Sequence, residues 1–155
     1  MGRFAVFVCT FGYVGFFPIA PGTAGSAAGV AVYLAMRHGG APAQVELSLI
    51  AAMFVLGVWL GAPAEKALGC IDPGPVVLDE VMGMLLTLAL IPVNWAGILL
   101  GFLLFRALDI AKPYPANRLE RLPGGLGLMA DDAMAAIYAN LLLRAAYYLA
   151  PNLIS

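Results

Sequence analysis

Two stretches, VLDE at 77–80 and MADD at 129–132, set adjacent acids into apolar surroundings, and FRALDIAKPYP at 105–115 adds Arg106, Asp109 and Lys112. The five carboxylates of Asp79, Glu80, Asp109, Asp131 and Asp132 include no His or Cys among them. That donor set suits a hard divalent cation. Mg²⁺ takes a few carboxylates with water and phosphate oxygens, whereas zinc favours nitrogen and sulfur. Arg106 and Asp109 stand three apart and share a helical face. They either pair locally, or Asp109 turns to a metal while the planar fork of Arg106 binds two phosphate oxygens. Lys112 follows, in chain stiffened by Pro113 and Pro115, and suits phosphate binding or charge balance. Asp79 and Asp131 precede apolar runs, where a helix N-cap is the plainer role.

A second element is PIAPGTAGS at 18–26. Its prolines fix the backbone, Gly22 and Gly25 allow close approach, and Thr23 and Ser26 offer hydroxyls at a helix start. Free N–H groups and the positive end of the helix dipole make Thr23, Gly25 and Ser26 a candidate phosphate seat. Alone the stretch says little, because capping hydroxyls and membrane glycines are common. Beside an acid cluster it gains meaning.

The surroundings are unusually apolar. Of 155 residues, 63% are hydrophobic and 11% charged, with mean hydropathy +0.93. A soluble domain carries about 25% charged residues, so lipid must supply much of the solvent here. A charge in hydrocarbon costs about 3 kcal/mol, which makes charges gathered in a few places functional candidates. The formal net charge of −1 comes with no basic stripe and speaks against nucleic-acid binding. Cys9 and Cys70 show neither metal nor disulfide spacing and read as inert thiols. His38, beside Arg37 at a helix end, reads as structural. The N-terminal stretch lacks a small-x-small cleavage site and reads as retained.

Gly and Pro punctuation divides one domain, 1–155, into an all-α integral membrane bundle of about five short helices: 22–36, 45–62, 79–91, 96–110 and 131–150. Loops fall at 63–77 and 112–130, with PGGLG at 123–127 as a hinge that lets the last helix begin at Asp131. Gly57 and Gly61 are spaced for close helix contact. If the chain reverses at 92–95, every acid lies at one level together with 21–26. The two legs of that hairpin, 79–110, each cover about 20 Å, against a hydrocarbon core of about 30 Å, so it is re-entrant or half-spanning. One Pro-kinked span over 81–105 would instead separate Asp79 from Asp109 by about 40 Å and strand two acid clusters without partners. Lys66, Arg106, Lys112, Arg118 and Arg121 share the acid side, which the positive-inside rule places in the cytoplasm.

The blocks PIAPGTAGS (18–26), VVLDEVMG (76–83), FRALDIAKPYP (105–115) and GGLGLMADD (124–132), in this order, resemble phosphatidylglycerophosphatase A, a family of membrane-bound, Mg²⁺-dependent bacterial phosphatases. The resemblance covers most of the chain. It implies hydrolysis of phosphatidylglycerophosphate to phosphatidylglycerol and inorganic phosphate, a step of phospholipid biosynthesis, on the cytoplasmic face of the bacterial inner membrane. It also implies metal or catalytic roles for Asp79, Glu80, Asp109, Asp131 and Asp132. Phosphate contacts carry over to Arg106, Lys112 and the stretch with Thr23, Gly25 and Ser26. Ala136 and Ala116 depart from the family pattern, without loss of charge. Whether water, an Asp or Thr23 attacks phosphorus stays open, as do the number of metal ions and the oligomeric state. The alternative is a small membrane transporter or cation-binding membrane protein with acids at broken helices. A conducting path needs polar groups across the bilayer, and away from the charged side only Thr87, Asn140 and Arg144 offer them.

Overall fold

The computed structural model describes residues 2–71 and 73–154, and every regular element among them is helical. In chain order these are α1 (Gly2–Cys9), a 3-10 turn (Val14–Phe16), α2 (Pro21–His38), α3 (Ala43–Leu68), α4 (Leu78–Leu88), α5 (Trp95–Ala111), α6 (Ala116–Leu119), α7 (Gly125–Leu149) and α8 (Pro151–Ile154). Asp72, in the loop expected over 63–77, lies outside the described residues.

A helix that is apolar all round belongs in a core. That describes α4, LDEVMGMLLTL, in which nine of eleven residues are buried. Around it pack α2, α3, α5 and α7. Small residues let them close in. A Cβ at Gly29 of α2 would sit 2.7 Å from the Cβ of Met84, and one at Gly101 of α5 would sit 2.9 Å from Leu88 Cδ2. Since Gly101 meets Leu88 while Gly83 meets Phe105, α4 and α5 run antiparallel. The chain therefore reverses over 89–94, which excludes the single span over 81–105. Asn94 holds the turn: its Oδ1 accepts from Gly97 N (3.1 Å), its Nδ2 donates to Leu153 O (3.1 Å), and its N–H donates to Ile154 O (2.9 Å).

Two helices, α3 and α7, are long and apolar enough to cross a membrane. Both extend beyond their expected ends. Pro63 removes a backbone donor and ordinarily breaks a helix, yet α3 continues to Leu68. The reason is tertiary, because α1 packs on this part and buries Ala5 and Cys9 against Leu60 and Ala64. Burial pushes the Cys9 thiol up to about 11, in keeping with an inert role. Helix α7 begins at Gly125, six residues before Asp131. Its opening GLGLM is poor in helix propensity, but the spacing of α3 demands it: a Cβ at Gly61 would lie 2.5 Å from Gly125 Cα, and one at Gly125 would lie 2.6 Å from Val58 O. Gly57 and Gly61 thus make the contact expected of them, and α7 is the partner.

These boundaries correct the capping role. Asp131 and Asp132 sit in the second turn of α7, and the N-cap of α4 is Val77, with Asp79 already inside the helix. The far end of α4 accounts for the other polar candidates. Asn140 Nδ2 reaches the carbonyls of Leu86 (3.2 Å), Thr87 (2.9 Å) and Ala89 (3.1 Å), and Arg144 bonds both Asn140 Oδ1 (2.8 Å) and Ala89 O (3.2 Å). The Thr87 hydroxyl donates to Gly83 O at 2.8 Å. All three satisfy helix carbonyls rather than line a path.

Candidate active site

Antiparallel α4 and α5 bring the first turn of one beside the last turns of the other, and α7 packs against both. Asp79 and Glu80 come from α4, Asp109 from α5, and Asp131 and Asp132 from α7. All five line one cavity of about 440 Å³ together with Lys112. Asp79, Asp131 and Asp132 are its most buried acids, exposing 7%, 5% and 5% of their surface.

Carboxylates cannot crowd a buried site cheaply, because like charges repel and burial disfavours ions. Asp79, Glu80 and Asp132 nevertheless each offer an oxygen within 4.8 Å of the others. Asp79 Oδ1 accepts the Glu80 N–H (3.0 Å), but Glu80 Oε2, Asp131 Oδ1 and Asp132 Oδ2 are buried without a partner among the described residues. Orphaned acceptors of this kind cost several kcal/mol unless something satisfies them. A hard cation does so, and the donor set fits one. Asp79, Glu80 and Asp132 could hold a metal ion.

The basic groups are deployed differently from one another. Arg106 Nη1 lies 2.6 Å from Asp109 Oδ2 and 3.8 Å from Glu80 Oε1, so the local pair exists and extends to a second acid. Arg106 does not itself line the cavity among the described residues; it braces two residues that do. Lys112 adopts a left-handed backbone (φ 43°) as the C-cap of α5. From there Nζ reaches Asp131 Oδ2 (2.7 Å) and Glu120 Oε1 (3.3 Å). Burial pulls its ammonium down, but the hydrogen bond and charge of Asp131, joined by Glu120, outweigh that and hold Lys112 above its ordinary value. It is a permanent cation at neutral pH.

The 18–26 stretch leads into and forms the start of α2. Ala20 is left-handed (φ 50°), and its carbonyl already accepts the N–H groups of Thr23 (2.9 Å) and Ala24 (3.1 Å). The Ser26 hydroxyl donates to Gly22 O (3.0 Å), and a Cβ at Gly25 would lie 2.7 Å from Val77 Cβ. Thr23 is exposed, and Thr23, Gly25 and Ser26 are absent from the described cavity wall. What the stretch visibly contributes is packing. A Cβ at Gly22 would strike Glu80 Oε1 and come within 3.0 Å of the Arg106 guanidinium, so α2 rests directly on that pair.

Two participants were not singled out from sequence: Glu65 and Glu120. Glu120 shares a loop with Lys112, and that proximity was the available signal. Nothing in the local sequence marked Glu65, which reaches the cavity because α3 outlasts Pro63.

The phosphatidylglycerophosphatase A family profile matches residues 7–147. The chain is 41% identical over 133 residues to phosphatidylglycerophosphatase A of Haemophilus influenzae, covering 83% of this chain and 80% of that protein. Against phosphatidylglycerophosphatase A of Escherichia coli K12 the identity is 37% over 125 residues, with 79% and 72% covered. A Bacteroides thetaiotaomicron protein, named as a candidate phosphatidylinositol-3-phosphatase, is 36% identical over 139 residues, with 85% and 86% covered. No solved structure matches. By a family match running nearly end to end and by these identities, the chain belongs to the phosphatidylglycerophosphatase A family of phosphatases.

Proposed function

We propose that this protein is a Mg²⁺-dependent lipid phosphomonoesterase, converting phosphatidylglycerophosphate and water to phosphatidylglycerol and inorganic phosphate at the cytoplasmic face of the membrane. The observation that carries this reading is the gathering of five carboxylates from three helices into one cavity, with three buried oxygens left unpartnered.

Asp79, Glu80 and Asp132 would hold the ion, with Asp109 and Asp131 beside them. A bound hard cation draws charge off phosphate oxygens and makes water a better nucleophile at neutral pH. The chain supplies the rest. Arg106 keeps Asp109 and Glu80 aimed at the cavity. Lys112, held charged between Asp131 and Glu120, steadies negative charge on the phosphoryl group in transit. Asp131 Oδ1, free of other partners, accepts the proton water gives up as its oxygen bonds to phosphorus. The bond to the glycerol oxygen breaks, and that oxygen takes the proton from Asp131.

A lipid substrate suits the setting. Val55 and Trp59 on α3 and Leu141 and Leu142 on α7 face outward, as helices bathed in acyl chains require. In this reading α2, α3, α4, α5 and α7 form the membrane bundle. The 11 residues of α4 cover about 16 Å and the 17 of α5 about 26 Å, both short of the hydrocarbon core of about 30 Å, so the pair lowers the acids just beneath the headgroups. Lys66, Lys112, Arg118 and Arg121 at the acid end, against Arg37 and Arg144 at the other, orient that end toward the cytoplasm. Purified protein given phosphatidylglycerophosphate with Mg²⁺ is expected to release inorganic phosphate. Failure to release any, from protein shown to be folded, would remove this function.

A further inference from the structure

Seven residues lining the cavity carry carboxylates, and two, Lys112 and Arg121, carry cations. The two cations are not equivalent. Lys112 lies between Asp131 and Glu120, while no described carboxylate pairs with the guanidinium of Arg121. A guanidinium with no partner among the described carboxylates, on the wall of so acidic a cavity, is placed for an anion that comes from outside.

Its backbone is not free to wander. Residues 120–122 pack on the start of α7 so closely that a Cβ at Gly127 would lie 2.8 Å from Glu120 O and nearer still to Leu122 O. Glu120 is further tied by its ion pair with Lys112. Arg121 therefore springs from a pinned turn. Burial separates the lining residues: Asp79, Asp131 and Asp132 form a buried acid floor, whereas Arg121 and its wall neighbours Ile71 and Leu122 are exposed at the rim.

The lipid proposed above has a matching order along its length. Its terminal phosphomonoester is the group to be cleaved. A glycerol separates this from a phosphodiester, and the diester joins the diacylglycerol. With the monoester on the acid floor and the acyl chains beyond the apolar rim, the diester falls between them. We propose that Arg121 binds this phosphodiester, and so selects lipids that carry a diester as well as a monoester. The inference rests on the function proposed above. It names a specificity-determining contact, because a guanidinium fork matches two phosphate oxygens.

The test compares wild type with Arg121→Ala and Arg121→Lys on phosphatidylglycerophosphate in mixed micelles. It also measures inhibition by phosphatidylglycerol, which keeps the diester, and by inorganic phosphate, which lacks it. Arg121→Ala is expected to raise KM by roughly 10- to 100-fold, what a lost charge-assisted hydrogen bond removes, with kcat changing far less. Inhibition by phosphatidylglycerol should weaken in step while inhibition by inorganic phosphate holds, and Arg121→Lys should recover part of the loss. An unchanged KM, or equal weakening of both inhibitors, overturns the assignment while leaving the function intact. Wild-type protein that releases no phosphate from phosphatidylglycerophosphate overturns the function, and this inference with it.

Discussion

Asp132→Asn is expected to lower phosphate release by roughly 10³-fold, the upper range for removing one preorganised electrostatic contact from an active site. The side chain is buried, shares its space with Asp79 and Glu80, and has an oxygen with no partner among the described residues. An amide there removes a negative charge and points a donor at a site built of acceptors. The fold should tolerate the change, because Asp132 crowds other carboxylates and relief of that repulsion offsets the lost contact. Stability at a functional site is commonly exchanged for activity in this way. Two readouts separate the roles. Thermal unfolding without metal should be unchanged or raised, and the rise in Tm that Mg²⁺ produces in wild type should vanish, since a ligand stabilises only the state that binds it. A variant that keeps full turnover would remove Asp132 from the site.

The second large effect concerns architecture. Gly125→Ala is expected to destabilise the protein by about 3 kcal/mol or more, at the severe end of overpacking. The added Cβ would meet the carbonyls of Gly57 and Val58, the latter at 2.6 Å. These are helix backbone atoms, so no side chain can swing aside and α3 and α7 must part. Asp131 and Asp132 ride on α7 less than two turns beyond the contact, so phosphate release should fall as well. Thermal unfolding in detergent reads the first effect and the phosphate assay the second. A variant as stable and active as wild type would show that this helix contact does not position the site.

How much of this was legible beforehand depended on the physical range of each signal. The acids stood out because charge in apolar sequence is costly, and the antiparallel reversal before Asn94 followed from requiring their partners to meet. Helices α2 and α5 lie within two residues of expectation, since Pro21, Pro113 and the apolar runs between are local features. Helix α4 stops at Leu88, before Pro92, because side chains from α7 satisfy its last carbonyls there. The start of α7 was missed for the opposite reason: GLGLM looks like a hinge until the backbone of α3 is seen to leave no room for side chains. The continuation of α3 past Pro63 likewise depends on α1, which lies far away in sequence. The left-handed turn at Ala20, whose carbonyl takes up the N–H groups of Thr23 and Ala24, leaves no mark in the residue types. Arg121 was visible only as one more positive charge on the acid side. That no described carboxylate pairs with it is seen only once the side chains are placed.

The central claim is that these carboxylates form a cation-dependent site for cleaving a lipid phosphate ester. Its most direct test is phosphate release from phosphatidylglycerophosphate by purified protein stripped of divalent ions, then titrated with Mg²⁺. The account predicts that stripped protein is inactive, that Mg²⁺ restores turnover saturably, and that Asp132→Asn stays silent at every concentration. Undiminished turnover by fully stripped wild-type protein would contradict it.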